Sequence, residues 1–154
     1  MAEGKPSVDK LAALRRSPLF DQLSPAELEV LAELSRPRGF ARGQIIVEEG
    51  ELGDSLYVLV AGEVEVLRRD GSEDKTLARL EPPEFFGEMA LIDREQRSAT
   101  VRAVSEVTAL QLTAQNFTAF RKQSRDGFTF VVINIARARS SRLRETNARL
   151  AARL

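Results

Sequence analysis

The stretch from Phe85 to Val101 contains the residue types that could hold an anionic ligand. Gly87 follows two aromatic residues, and because it has no side chain it lets the backbone come close to a ligand. The apolar residues after it could form one helical turn, whose first N–H groups lack partners within the helix and favour negative charge. Arg97 would add a planar fork of donors that matches phosphate oxygens. Together these residues suggest a phosphate-binding site.

Glu88 lies beside this site, where a phosphate group would repel its carboxylate. It therefore needs a different role, and accepting hydrogen bonds from a ribose hydroxyl is the obvious one. For Arg97 alone the alternative is an ordinary surface arginine in contact with water, because most arginines are exposed. The register of the whole stretch favours a binding site over that alternative.

The same stretch resembles the phosphate-binding cassette of cyclic nucleotide-binding domains. Three segments fit the family's pattern without a gap: Phe86-Gly87-Glu88, Ala90-Leu91 and Arg97-Ser98-Ala99-Thr100-Val101. Upstream, the resemblance continues through Gly50, the segment Gly53-Asp54-Ser55-Leu56-Tyr57-Val58, and Gly62-Glu63-Val64. It covers roughly residues 10 to 125 in order.

The resemblance implies cAMP as the ligand, with cGMP as an alternative and no metal. Arg97 would pair with the equatorial oxygens of the cyclic phosphate, and Glu88 would accept from the ribose 2′-OH. Backbone N–H groups around Gly87, Met89 and Ala90 would complete the cradle. The ligand-binding residues carried over from the family are Phe86, Gly87, Glu88, Met89, Ala90, Arg97, Ser98 and Ala99.

Several points of the site stay open from the sequence. Ser98 could contact the phosphate or the 2-amino group of guanine, or it could be a surface serine. It can face the ligand beside Arg97 only if the regular strand starts after it, because neighbouring strand residues point to opposite faces. The cassette tip carries Arg94 and Gln96 where the family often has glycine and proline, so we expect an altered affinity.

The base also needs contacts outside the cassette. In the family the C-terminal helix closes over the pocket, and by position alone this lid would lie in residues 137–143. Val60 and Leu80 are candidate apolar contacts of the base, and each is equally well explained as a core residue.

Composition excludes several classes of protein. The chain has no cysteine and no histidine, so zinc, haem and iron–sulfur sites and histidine-based catalysis are not expected. An enzyme would have to use carboxylates, lysine or Tyr57 alone, and we predict no enzymatic activity. No apolar run approaches the roughly 20 residues of a membrane span, and the N-terminus has no apolar signal core. We therefore expect a cytoplasmic protein without membrane contact.

The fold is predicted to be α+β and mainly β, as a single domain of residues 1–154. Residues 1–35 should form N-terminal helices, one of them begun by a Ser24 capping box with Glu27. Residues 36–112 should form an antiparallel β-roll or jelly-roll barrel, because short strands recur at intervals of 8–12 residues. This roll would contain the short cassette helix within residues 85–101.

Residues 113–154 are predicted to form two C-terminal helices. Thr113 should cap the first, Gly127 should separate the two, and the second should run from Phe128 to about Arg153. Ala136, Leu143 and Leu150 are seven residues apart, which is typical of a helix–helix seam. A single apolar stripe packed on the chain's own barrel explains the pattern equally well.

These observations lead to a function hypothesis with one main alternative. The chain would be a cyclic nucleotide sensor that signals through movement of its C-terminal helix to a partner protein or a dimer mate. The alternative is a degenerate scaffold of the same fold, which binds no nucleotide and acts through protein–protein contacts. A cupin-like enzyme is disfavoured because its metal site needs histidines.

The output partner is not fixed by the sequence. Residues 121–154 hold nine basic and two acidic residues, whereas the rest of the chain is acidic. This basic helix could pack against the acidic barrel of its own chain or of a dimer mate, or against an acidic effector protein. In bacterial activators of the family that this chain resembles, a DNA-binding helix-turn-helix follows the C-terminal helix. We do not expect DNA binding, because that module would lie beyond Leu154.

Overall fold

The structure, a computed structural model, describes residues 8–93 and 96–152, with side chains described through residue 140. The helices are α1 (Lys10–Arg16), α2 (Pro25–Leu34), α3 (Ala114–Gln123) and α4 (Arg125–Ala152), with 3₁₀ turns at Pro18–Phe20 and Glu88–Leu91. The strands are β1 (Arg36–Phe40), β2 (Ile45–Val47), β3 (Ser55–Ala61), β4 (Val64–Asp70), β5 (Glu73–Leu80), β6 (Phe85–Phe86), β7 (Thr100–Ala103) and β8 (Val107–Thr113).

The described strands form two four-stranded antiparallel sheets. One has the order β1-β8-β3-β6 and the other has the order β2-β7-β4-β5. The inner faces of the two sheets enclose an apolar core, which includes Phe40, Tyr57, Leu59, Val64 and Phe86. The predicted α+β class with an antiparallel β-roll is confirmed.

Strand β3 separates this inner core from a second one. Its residues alternate between the two faces of the sheet, as strand geometry requires. Tyr57 and Leu59 point into the roll, whereas Leu56 and Val58 belong to a cluster that also contains side chains from the helices. The wholly apolar sequence of this strand is explained because both of its faces are covered.

The N-terminal helices follow the predicted signals. The backbone N–H of Ser24 donates to the Glu27 carboxylate at 2.8 Å, and the backbone N–H of Glu27 donates to the Ser24 hydroxyl at 3.2 Å. This reciprocal pair is the predicted capping box of α2. The first helix begins at Lys10, after Asp9, whose side chain caps it by accepting from the Ala12 N–H at 3.0 Å.

The predicted break at Gly127 is wrong. α3 ends at Gln123 and α4 begins at Arg125, so Gly127 lies in the first turn of α4. Its N–H donates to the Ser124 hydroxyl at 3.0 Å, which caps the new helix. A Cβ at position 127 would overlap the Glu27 carboxylate and would lie 2.8 Å from the Phe120 ring. Gly127 is therefore needed for its small size at a helix junction, not to end a helix.

Glu27 ties this junction to α2. The Ser124 hydroxyl donates to its carboxylate, and this bond, together with the Ser24 backbone N–H, lowers the pKa of Glu27 below its usual value. One carboxylate thus caps α2 and holds the residue between α3 and α4.

The first half of α4 packs on its own domain. Val131 and Ile135 are buried, and the buried Asn134 side chain donates to the carbonyls of Leu19 at 3.0 Å and Asp21 at 2.9 Å. Ala136 is exposed, and the side chains of Leu143 and Leu150 from the predicted seam lie outside the described part. None of the described helices, α4 included, has an apolar run long enough to cross a bilayer.

The turn between β3 and β4 gives a test of backbone packing. Gly62 has a φ of +88°, and a Cβ there would overlap the Glu106 carbonyl oxygen and lie 2.9 Å from the Val107 Cα. Gly71 in the β4–β5 hairpin has a φ of +68°, but a Cβ there would meet no atom within 4 Å. The two glycines share a left-handed conformation and differ in the space around them.

We predict that Gly71→Ala lowers the free energy of unfolding by about 1–2 kcal/mol, the cost of a left-handed alanine. Gly62→Ala should lower it by about 1–3 kcal/mol more, because the backbone of residues 106–107 must also move. Urea unfolding of the two variants measures this difference. Equal losses of stability would show that the turn has room for a side chain.

Candidate functional site

A cavity of about 720 Å³ lies between the cassette and strands β4, β5 and β7. All eight residues predicted to bind the ligand contribute to its lining: Phe86, Gly87, Glu88, Met89, Ala90, Arg97, Ser98 and Ala99. The structure therefore brings the two ends of the cassette together around one space. A volume of this size is within the usual range for small-molecule sites.

The backbone of Arg97 is fixed by the loop between β2 and β3. Its N–H donates to the Glu51 carbonyl at 2.6 Å, and its carbonyl accepts from the Gly50 N–H at 2.9 Å. Nearby, the Glu49 N–H donates to the Thr100 hydroxyl at 2.9 Å. These bonds set the position from which the Arg97 side chain enters the cavity.

The Arg97 guanidinium lies in space left by two glycines. Its Nη2 donates to the Ser55 carbonyl at 2.8 Å. A Cβ built on Gly53 would lie 2.8 Å from the Arg97 Nε, and one built on Gly87 would lie 2.7 Å from the Arg97 Nη1. Any larger residue at either position would displace the guanidinium.

No carboxylate among the described residues forms an ion pair with Arg97. Its hydrogen bond goes instead to a neutral carbonyl, and the side chain is only partly exposed. A half-buried cation without a counter-ion is unfavourable, so the arrangement suits an anion that enters the cavity from outside.

Gly87 sets the geometry at the other end of the cassette. Its φ of +82° is left-handed, and it caps the 3₁₀ turn Glu88–Leu91, the element predicted as a helical turn. The Glu88 side chain is buried, with 5% of its surface exposed, and it lines the cavity. The Ala90 N–H donates to the Gly87 carbonyl at 3.1 Å, so the predicted contact from Ala90 to a ligand would need this turn to change.

Ser98 precedes the regular strand. β7 begins at Thr100, so the alternation of strand faces does not apply between Arg97 and Ser98. Both residues line the cavity, and the Arg68 Nε donates to the Ser98 carbonyl at 3.2 Å. The structure thus meets the condition under which Ser98 could face a ligand.

An aromatic stack supports β6 from inside the roll. The Tyr57 and Phe86 rings are stacked with centroids 5.2 Å apart, and Phe40 meets Tyr57 edge-on at 6.2 Å. Burial raises the pKa of Tyr57 above its ordinary value, and the nearby Arg38 and Arg97 oppose this effect. The phenol therefore stays protonated at neutral pH, which makes it a packing group and a poor general base.

Sequence reasoning missed much of the cavity's wall. Leu80 lines the cavity and Val60 does not, so only one of the two candidate base contacts reaches it. Val66 and Ala78, which face each other across β4 and β5, were not identified. Counting back from the hairpin turn would have paired Val66 with Leu77, because the sequence does not reveal the register shift between Val66 and Leu67.

Arg139 is the one described residue of α4 that lines the cavity. It falls within residues 137–143, the range expected for the lid. The sequence predicted that range from its position in the chain but did not identify which residue would reach the cavity. The predicted tip residue Arg94 lies outside the described residues. Gln96 lines the cavity and forms an isolated antiparallel β-bridge with Leu52. Within the described residues, no three His, Cys, Asp or Glu side chains are placed to hold a metal ion.

A family model for the cyclic nucleotide-binding domain matches residues 37–124 of this chain. The Cyclic AMP receptor protein of Thermus thermophilus is 34% identical over 138 residues, which cover 89% of this chain and 62% of the relative. A cyclic nucleotide-gated potassium channel of Rhizobium etli is 41% identical over 100 residues, covering 65% of this chain and 27% of the channel.

The fold is also similar to solved structures. The crystal structure of the Thermus thermophilus Catabolite Activator Protein superimposes with a TM-score of 0.75 at 34% identity, over 88% of this chain and 62% of that one. The chain therefore spans about 60% of the length of the Thermus thermophilus sequence and of the Thermus thermophilus structure that it matches. The similarity covers both the cassette and the sheets that position it.

Proposed function

Because the chain belongs to the cyclic nucleotide-binding domain family, we propose that its cavity binds a 3′,5′-cyclic purine nucleotide, cAMP or cGMP. The observation that carries this proposal is the Arg97 guanidinium, which lines the cavity without a carboxylate partner among the described residues. A cyclic phosphate would supply the missing negative charge. Arginine suits this role because its planar fork can donate two parallel hydrogen bonds to phosphate oxygens.

Glu88 would bind the sugar of the same ligand. Its buried carboxylate lines the cavity together with Arg97, and a carboxylate can only accept hydrogen bonds. The ribose 2′-OH is a donor from which this carboxylate could accept, whereas a second phosphate there would be repelled. A cation and an anion at one site thus select a ligand that carries a phosphate and a neighbouring hydroxyl.

The proposed role is regulation, not catalysis. Binding would favour one position of α4, which reaches the cavity through Arg139. Such a shift requires that the nucleotide bind one position of the helix more tightly than the other. A cytoplasmic location is part of this proposal, because these nucleotides are made inside cells. The alternative, a scaffold of the same fold that binds no nucleotide, is weakened by the open cavity around Arg97 and Glu88.

A second copy of the chain is the partner we propose for the outer face of α4. Phe130 and Ile133 are 36% and 39% exposed, and residues three apart share one face of a helix. The basic excess of residues 121–154 and the acidic excess of the rest make the chain complementary to itself. In a two-fold dimer, α4 of one copy could lie against both α4 and the acidic roll of the other.

The first prediction from this proposal tests nucleotide binding. Calorimetric titration of the whole chain with cAMP and cGMP should show micromolar binding, and Arg97→Ala should weaken it at least about ten-fold, because a charged hydrogen bond is worth about 1.5–3 kcal/mol. Arg97→Lys keeps the charge but loses the fork, so its affinity should lie between the two.

AMP and 2′-deoxy-cAMP are the control ligands. AMP lacks the ring phosphate and 2′-deoxy-cAMP lacks the hydroxyl assigned to Glu88, so both should bind wild-type protein at least about ten-fold more weakly. Glu88→Gln should bind cAMP less tightly and discriminate less against the deoxy analogue. Equal affinities in the millimolar range for all of these ligands would refute the proposal that the chain is a nucleotide sensor. They would favour the alternative, a scaffold of the same fold that binds no nucleotide.

The second prediction concerns Gly53. Its backbone is not left-handed, and the three atoms nearest to an added Cβ all belong to the flexible Arg97 side chain. Gly53→Ala should therefore leave the melting temperature nearly unchanged while weakening cAMP binding about three- to ten-fold, since one well-placed hydrogen bond is worth about 1 kcal/mol. In an Arg97→Ala background the same change should have no effect on affinity. An equal loss in both backgrounds would show that Gly53 does not act through Arg97.

The third prediction concerns the dimer. Sedimentation of the wild-type chain should show a dimer, and Ile133→Glu should shift it to a monomer by placing a charge in the apolar contact. Ile45→Glu is the matched control, because Ile45 is 48% exposed on β2 and lies far along the chain from α4. A wild-type monomer at high micromolar concentration, or dissociation by both variants, would contradict the proposed interface.

A further inference from the structure

The carbonyl oxygen of Ser55 contacts both ends of the cassette. It accepts from the Arg97 Nη2 at 2.8 Å, and a Cβ built on Gly87 would lie 2.6 Å from it. In the described residues, β3 pairs with β6 only at Tyr57 and Val58. The Ser55 carbonyl lies beyond the end of that pairing, where the Arg97 guanidinium takes the place of a strand partner. Any shift of Ser55 would therefore move the guanidinium relative to the cassette turn.

A side chain outside the cavity holds Ser55 from the other side. Gln111 lies on β8, which neighbours β3 on the edge opposite to β6, and its Nε2 donates to the Ser55 hydroxyl at 2.9 Å. The Ser55 hydroxyl donates in turn to the Asp54 carboxylate at 2.9 Å. Because Ser55 is fully buried, its hydroxyl depends on such partners within the protein.

Arg38 sets the direction of this chain of hydrogen bonds. Its Nη1 donates to the Gln111 Oε1 at 2.8 Å, and its guanidinium lies 5.4 Å from the centre of the Phe40 ring. Because arginine has only donors, Gln111 must turn its oxygen toward Arg38 and its NH₂ group toward Ser55. The Ser55 hydroxyl accepts from that group, so its own proton goes to the Asp54 carboxylate, which only accepts. The chain thus runs from a cation to an anion, and charged ends strengthen it.

Resting on the proposed function, we propose that Gln111 is a positioning residue for the phosphate contact, because it fixes Ser55 and thereby holds the Arg97 guanidinium ready for the cyclic phosphate. Gln111 is outside the cavity lining, so it acts on the ligand only through these two residues. Without it, the guanidinium must be ordered when the nucleotide binds, and that ordering costs affinity. The cost falls on the phosphate contact, so cAMP and cGMP should weaken by the same factor.

The test replaces Gln111 by a residue of similar length that cannot form either hydrogen bond. Gln111→Met should weaken binding of cAMP and of cGMP about three- to ten-fold, the equivalent of one hydrogen bond. Gln44→Met is the matched control, because the Gln44 side chain accepts from the Ala41 N–H at 3.0 Å and lies outside the cavity lining. That control should keep the wild-type affinity. Calorimetric titration of the full chain, well below the melting temperature of each variant, measures these values.

Double variants show whether Gln111 acts through Ser55 and Arg97. Ser55→Ala removes the hydroxyl that Gln111 holds but keeps the carbonyl, so it should weaken cAMP by a similar factor, and Gln111→Met should add nothing to it. Gln111→Met should also have no effect in an Arg97→Ala background. A merely structural role would lower the melting temperature without making the loss of affinity depend on Arg97. If Gln111→Met does not fold, Ser55→Ala in the two Arg97 backgrounds decides the question.

A failure of this role is distinguishable from a failure of the proposed function. If Arg97→Ala weakens cAMP but Gln111→Met does not, the site stands and the role of Gln111 is overturned. The role is also overturned if Gln111→Met costs as much in the Arg97→Ala background as in the wild type, or if Gln44→Met costs as much as Gln111→Met. If Arg97→Ala changes no affinity, the proposed function fails and the role of Gln111 fails with it.

Discussion

The hydrogen bond from the Arg97 guanidinium to the Ser55 carbonyl is the contact on which the site depends. It places a cation at the cavity with a neutral partner, and the fold stabilises this unfavourable arrangement from several directions. The Arg97 backbone is bonded in both directions to the loop before β3, and Gly53 and Gly87 leave the volume that the side chain occupies. Such an unneutralised group is expected at a functional site, because a purely structural arginine would gain more from a carboxylate.

The two cores explain how such a site can be combined with a stable domain. β3 carries the Ser55 carbonyl and also divides the inner core from the helix-facing cluster, so the support of Arg97 is among the most buried parts of the chain. α4 is tied to the same domain by Asn134, whose side chain donates to the carbonyls of Leu19 and Asp21. Any displacement of the first half of α4 must break both bonds or carry the Pro18–Phe20 turn with it.

Much of the fold could be predicted because its signals are local. The Ser24 capping box, the continuous apolar run of β3 and the cassette each lie within a short stretch of consecutive residues. The prediction for Gly127 was wrong because position 127 needs a glycine for a tertiary reason. A side chain there would collide with Glu27 and Phe120, and the local sequence does not show that these residues lie close to it. The wall of Val66 and Ala78 depends on the pairing register of two strands, and Arg139 depends on where a long helix passes the roll. Neither is visible in a local pattern.

The residues that line the cavity belong to elements that are held to the β-roll to different degrees. Arg97 and Glu88 belong to the cassette, which is bonded into the roll, whereas Arg139 lies on α4, beyond the last buried anchor of that helix at Ile135. A ligand that contacts only the cassette gains affinity without distinguishing the positions of α4, and such a ligand shifts no equilibrium. A ligand whose base also meets Arg139 binds one position of α4 more tightly. In the proposed regulatory role, the phosphate end sets how tightly a nucleotide binds, and the base end sets whether the helix responds.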